Sequence, residues 1–173
     1  MNRVRIEGER VTLRPLTMDE FEHEWASRLE MDPSVQPIRP TREALRARFE
    51  RSGIMQGVAL DLAIEADGRM IGGIQTYDPP DRALPPGAFE IGIAIEEPMQ
   101  GKGYGTEAVR ALVGWLFSDA GATQVHMPTV PDNVAIRTVA ERLGFEAEGA
   151  ISYEGLEYVF YVLTRERWVA GDR

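Results

Sequence analysis

Three glycines fall within five positions of the stretch QGKGYG, at Gly101, Gly103 and Gly105, and the run that follows, TEAVRALVGWLF, has the apolar spacing of an amphipathic helix. A strand that ends in such a loop and feeds a helix aims several backbone N–H groups, and the positive end of the helix dipole, at one spot. That spot binds phosphate. Glycines let the backbone come close to phosphate oxygens and tolerate positive φ, which side chains oppose. Two common phosphate sites are excluded by spacing. The dinucleotide fingerprint needs G-x-G-x-x-G after a first strand, whereas these glycines follow G-x-G-x-G late in the chain. In a P-loop the lysine follows the last glycine, whereas Lys102 precedes Gly103 and Gly105.

Composition narrows the chemistry further. The chain has 173 residues and no cysteine, so disulfides, thiolate metal sites and an acyl-cysteine intermediate are all removed. No metal is expected. A net charge of −9 is the wrong sign for a duplex nucleic-acid binder and favours a cationic or amine-bearing partner. Hydrophobic content of 43% with 27% charged residues is ordinary for a globular protein, and no apolar run approaches the roughly 20 residues that span a bilayer. The opening MNRVRIEGERVTLRP is charged throughout, unlike a secretory signal, so a cytoplasmic protein without a membrane partner is expected.

The loop must be positioned by a domain, and one domain over residues 1–173 is expected. RVRIEGERVTLRPL reads as an opening strand or short hairpin, 18–30 and 41–53 as helices, and VALDLAIEADGRMIGGIQTY as a hairpin turning at Asp67-Gly68. Four prolines make 78–88 a loop. FEIGIAI (89–95) reads as a buried strand, 106–119 as a helix with the apolar stripe Ala108, Val109, Leu112, Val113 and Leu116 or Phe117, and 123–130 as a strand. A helix at 133–143 and a last strand at 157–168 follow. The result is an α/β domain built on a mostly antiparallel mixed sheet of about seven strands, flanked by about four helices.

The motif Gln100-Gly101-Lys102-Gly103-Tyr104-Gly105, with strand FEIGIAI before it, a helix after it, and Asn133 spaced twelve residues ahead of Phe145 in ERLGF, resembles the GNAT superfamily of acetyl-CoA-dependent N-acetyltransferases. The ends, GERVTLRPLTMDEF and EGAISYEGLEYVFYVLTRERW, look like the branch of ribosomal-protein N-terminal acetylases (Rim-type). The resemblance implies acetyl-CoA as donor and strands that splay apart where it enters. Gly101, Lys102, Gly103, Tyr104, Gly105 and Thr106 would surround its pyrophosphate, with Gln100 shaping the loop's entry. Ile93, Ala94 and Ile95 would pair through their backbone with the pantetheine arm, as an added strand would. Pro128, which cannot donate to a ladder, suits a strand whose neighbour has splayed away or an edge strand. Asn133 suits a helix N-cap and could also reach the pantetheine.

Without a cysteine, direct attack by the amine in a ternary complex is the economical route. Glu90 stands where many relatives place a glutamate base; Glu154 and Glu157, near the terminal strand, are its rivals. His23 and His126 read as surface or core residues. The family's proton-donating tyrosine, seven residues after the asparagine, is here Ala140, and the Rim-type serine is Ile136. Tyr104, Ser152, Tyr153 or water are left for that task. An α-amine, with a pKa of about 7.7 to 8.0, needs less help to lose its proton than a lysine near 10.4. The expected acceptor is a protein N-terminus or a small amine-bearing metabolite. The alternatives are an aminoglycoside and a non-catalytic acyl-CoA-binding module. A monomer or homodimer is expected.

Overall fold

The computed structural model describes residues 3–23, 41–153 and 155–171. One eight-stranded sheet, ordered β1-β2-β3-β4-β5-β6-β8-β7, organises them. Its strands are β1 (Ile6–Glu7), β2 (Thr12–Arg14), β3 (Leu60–Ala66), β4 (Arg69–Tyr77), β5 (Ala88–Ile95), β6 (Gln124–Thr129), β7 (Glu146–Tyr153) and β8 (Leu156–Thr164). Every neighbouring pair is antiparallel except β5 and β6. Helix α1 is described over 18–23, and the remainder of the helix expected to 30 lies outside the described residues. It is followed by α2 (Arg42–Arg51), α3 (Tyr104–Ser118), α4 (Val134–Arg142) and α5 (Arg165–Gly171).

Local chemistry explains these boundaries. Thr41 caps α2 by accepting from the Ala44 N–H. Asp67 and Gly68 both adopt left-handed backbone (φ 51° and 76°), as the tight turn between β3 and β4 requires. The apolar stripe of α3 is buried, with Ala108, Val109, Leu112, Val113 and Leu116 at 0% exposure. It covers one face of the sheet, against Leu62, Ile64, Ile74, Ile91 and Val125. Burying such side chains is the main stabilising term for a domain of this kind.

Two sequence expectations change. The opening segment is the short hairpin, one of its two readings, with β1 paired to β2, and β7 adds a strand, which gives eight rather than about seven. β7 escapes periodicity analysis because it is a mostly exposed edge strand with Gly149 inside it and a register shift between Ala147 and Ala150. The last strand stops at Thr164 instead of 168, because RERW turns into α5, which gives five helices rather than four. Arg165 donates to the Ala122 carbonyl (2.6 and 3.0 Å), and Trp168 packs 6.1 Å from Phe117.

Candidate functional site

β5 and β6 pair at three positions only: Ala88 with Gln124, Phe89 with Val125, and Glu90 with His126. Beyond that point β5 continues to Ile95 paired with β4 alone, Ile93 opposite Ile74, Ala94 opposite Gly73 and Ile95 opposite Gly72. β6 continues paired with β8 alone. The sheet therefore has a wedge in it, and one edge of Ile93, Ala94 and Ile95 is left for an added strand. Pro128 lies two residues past the last β5–β6 pair, where a missing N–H costs no bond to β5. Gly72 shapes the wall behind the wedge. A Cβ there would sit 2.2 Å from the Ala94 carbonyl oxygen, so only glycine lets β4 run this close to β5.

The glycine loop sits at the open end of the wedge. After a short 3-10 turn (Glu97–Met99), Gln100 donates its side-chain amide to the Ile95 carbonyl at 2.9 Å and fixes where the loop leaves the strand. Gly101 and Gly103 are left-handed (φ 71° and 87°), and Gly103 is the N-cap of α3. Gly105 is inside the first helical turn and needs no positive φ, unlike its two neighbours. The first bond of α3 runs from Glu107 N–H to Gly103 oxygen, so the N–H groups of Tyr104, Gly105 and Thr106 point out of the helix end. Lys102 reaches back to the Met99 sulfur (3.9 Å) beside them.

This loop is braced from below by a residue that the sequence reading missed. Arg10, in the turn between β1 and β2, donates through Nε to Glu107 (2.9 Å) and through Nη1 to the Lys102 carbonyl (3.2 Å). Its guanidinium lies 4.9 Å from the centre of the Tyr104 ring. The Glu107 carboxylate also accepts from the N–H groups of Arg10 and Val11. Burial raises its pKa, and these hydrogen bonds outweigh burial and leave it below the usual carboxylate range.

On the face of the sheet opposite α3, Glu90 is 1% exposed, and its carboxylate accepts from Arg82 and from the Tyr77 hydroxyl. Arg82 comes from the proline-rich loop and also grips Asp81 (2.9 Å). Burial works against the Arg82 cation, and its bonds to Glu90 and Asp81 outweigh that cost. The Tyr77 hydroxyl is pushed up by burial first and by the Glu90 charge second. His126, 4% exposed, is pushed down to about 4 by burial and by the charge of Arg82, so its imidazole is neutral near pH 7. Glu157 does not join this group. Alternation along β8 puts it on the side of Tyr161, opposite Phe160, and its carboxylate accepts from Ser152. Glu154 lies outside the described residues.

Comparison with known proteins decides the family. The sequence pattern described as "Acetyltransferase (GNAT) domain" matches residues 10–146. This chain belongs to the GNAT acetyltransferases. An aminoglycoside N(6')-acetyltransferase type 1 of Klebsiella pneumoniae is 28% identical over 171 residues, covering 92% of this chain and 85% of that protein. A crystal structure of aminoglycoside acetyltransferase AAC(6')-Ib with coenzyme A superposes with a TM-score of 0.76 at 26% identity, over 94% of this chain and 99% of that one. The same enzyme with coenzyme A and kanamycin gives 0.76 at 27% identity and the same coverage.

As a GNAT enzyme the chain is an acetyl-CoA-dependent N-acetyltransferase, and its wedge and loop suit that donor: a free strand edge for the amides of pantetheine and converging N–H groups for pyrophosphate. Asn133 caps α4, its Oδ1 accepting from Ile136 N–H at 3.2 Å. Ala140 is fully buried on that helix, so no proton donor stands at the position the family resemblance marks. Among the described residues no group of three or more His, Asp or Glu side chains could hold a metal ion, and no helix is long and apolar enough to cross a membrane.

Proposed function

We propose that this GNAT enzyme acetylates a primary amine of a small polycationic acceptor, of the aminoglycoside class, by direct attack on the thioester in a ternary complex. The observation that carries the reading is the position of Glu90, at the last paired point of β5 before the wedge opens. A carboxylate at the mouth of the wedge suits the role of base for an amine that would attack an acetyl group delivered there. Asp61 and Asp81 share its side of the sheet, and the net charge of −9 adds a long-range preference for cations. The relatives aligned over nine-tenths of the chain act on aminoglycosides by name.

One observation favours a second acceptor, a protein N-terminal α-amine of the kind taken by the Rim-type branch. Ala140 and Ile136 leave the site poor in proton donors and acceptors, and an α-amine, at a pKa of about 7.7 to 8.0, is the amine that needs least of either. The opening GERVTLRPLTMDEF and the closing strand support the same reading. The base is proposed to be Glu90, with Glu157 of β8 and Glu154, three residues before it in sequence, as its rivals. Gln100, Lys102, Thr106 and Asn133 are proposed donor contacts together with the loop glycines.

A thiol-release assay with acetyl-CoA and a panel of aminoglycosides, amino acids and short peptides tests both acceptors. Turnover of aminoglycosides at a kcat/KM at least tenfold above any peptide supports the first reading. Peptide turnover without aminoglycoside turnover transfers the conclusion to the second.

A further inference from the structure

The guanidinium of Arg82 is held in a way that loop anchoring alone does not require. It donates to both carboxylate oxygens of Asp81 (2.9 Å each) and to Glu90, and it lies 5.3 Å from the centre of the Phe160 ring. Two carboxylates and an aromatic face around one cation make a recognition site for positively charged nitrogen. The formal charge of that group is −1 with Arg82 in place and −2 without it. The floor is set: Glu90 is 1% exposed and takes a further bond from Tyr77, and the His126 ring meets Phe160 edge-on at 4.9 Å.

Two features mark it as a site for something other than Arg82. The Arg82 side chain keeps 25% of its surface exposed, so the seat opens outward, and the four prolines of the loop leave side-chain rotation as the cheap way for the cation to leave. In addition, His126 Nδ1 is buried and has no hydrogen-bond partner among the described residues. Buried polar atoms in folded proteins are nearly always bonded, and an orphan next to a charged group points to a partner that arrives from outside.

We propose that Glu90, Asp81 and the Phe160 face form a seat for a cationic nitrogen of the acceptor, and that Arg82 is its resident occupant, displaced when the acceptor binds. The inference rests on the reading of the acceptor as a cationic amine and names its contacts. It assigns Arg82 a competitive role: the free enzyme keeps its buried carboxylate paired, and only an acceptor bearing a strong cation displaces the guanidinium. Neutral amines lack the charge to do so.

Methylguanidinium is the probe, because it copies the Arg82 head group. The expected result is binding to Arg82→Gln about tenfold tighter than to wild type by calorimetry, with a matching rise in Tm, and loss of that gain in Arg82→Gln/Glu90→Gln. Equal affinity for wild type and Arg82→Gln overturns the seat. Should Arg82→Gln fail to fold, Arg82→Met carries the same comparison, since it also removes the resident cation and keeps an apolar side chain against the Phe160 ring. Acceptor assays read the other half. Absence of turnover with every amine while methylguanidinium binds as expected removes the proposed acceptor class and leaves the seat standing. Turnover without the methylguanidinium gain removes the seat alone.

Discussion

Glu90 and His126 face each other across the last rung that joins β5 to β6, and past them the two strands part. One is a buried carboxylate with an arginine and a tyrosine on it; the other is a buried neutral imidazole. Their shared position puts the proposed base at the point where the sheet opens for the proposed donor.

If Glu90 removes the acceptor proton, Glu90→Gln lowers kcat/KM by about 10²- to 10⁴-fold, the usual worth of a positioned base. The deficit shrinks as pH rises, because solvent then deprotonates the amine unaided. Glu157→Gln and Glu154→Gln stay within about threefold of wild type in the same pH series. A Glu90→Gln enzyme near wild-type rate at pH 6.5 passes the role to the β7–β8 hairpin.

His126 gives the protein an acid-sensitive stability. The unfolded chain takes up this proton near pH 6.5, while the folded chain resists it until about pH 4. A depressed folded value means that stability is fully present above the unfolded value and is lost as pH falls through that window. One proton contributes a slope of at most about 1.4 kcal/mol per pH unit. Urea unfolding of wild type and His126→Gln across the window measures it, and identical slopes refute the assignment.

The loop glycines separate by conformation. Gly103→Ala places a side chain in left-handed backbone 3.1 Å from the Arg10 guanidinium and costs about 1–2 kcal/mol of stability as well as acetyl-CoA affinity. Gly105→Ala sits in an ordinary helical turn and gains up to about 1 kcal/mol from propensity. It raises the KM for acetyl-CoA only if phosphate oxygens approach that backbone. Wild type gains about 2.7 kcal/mol at a concentration 100 times the Kd, so thermal shifts with and without acetyl-CoA give both answers.

Glu107→Gln weakens the bonds that tie the first hairpin to the loop. Its carboxylate accepts from two backbone N–H groups and one guanidinium, so the loss is about 1–3 kcal/mol. KM for acetyl-CoA rises and kcat holds, because the brace orients the loop and touches no reacting atom. A variant with unchanged KM restricts Glu107 to folding.

Sequence periodicity revealed the parts of this site whose signal is local. The left-handed loop, the α3 stripe, the Asp67-Gly68 turn and the Asn133 cap each depend on residues within a few positions of one another. The contacts that define the acceptor side depend on distant pairings. Arg82 reaches Glu90 across a loop end, His126 meets Glu90 through the parallel pairing of β5 with β6, and Arg10 meets Glu107 from nearly a hundred residues away. No spacing rule encodes those meetings. Alternation with Phe89 and Ile91 does not say that Glu90 is buried; it is buried because Arg82 and Tyr77 supply the partners that make burial tolerable.

The three-rung seam between β5 and β6 also divides the sheet mechanically. Strands β1 to β5 form one leaf and β6, β8 and β7 the other, with α3 bridging them in sequence. A donor lying in the wedge would lengthen the seam by hydrogen-bonding along β5, so it would act as a splint between the leaves. Amide exchange at 88–90 and 124–126 then reports a single opening event, one that a bound donor slows while the far ends of each leaf keep their own rates.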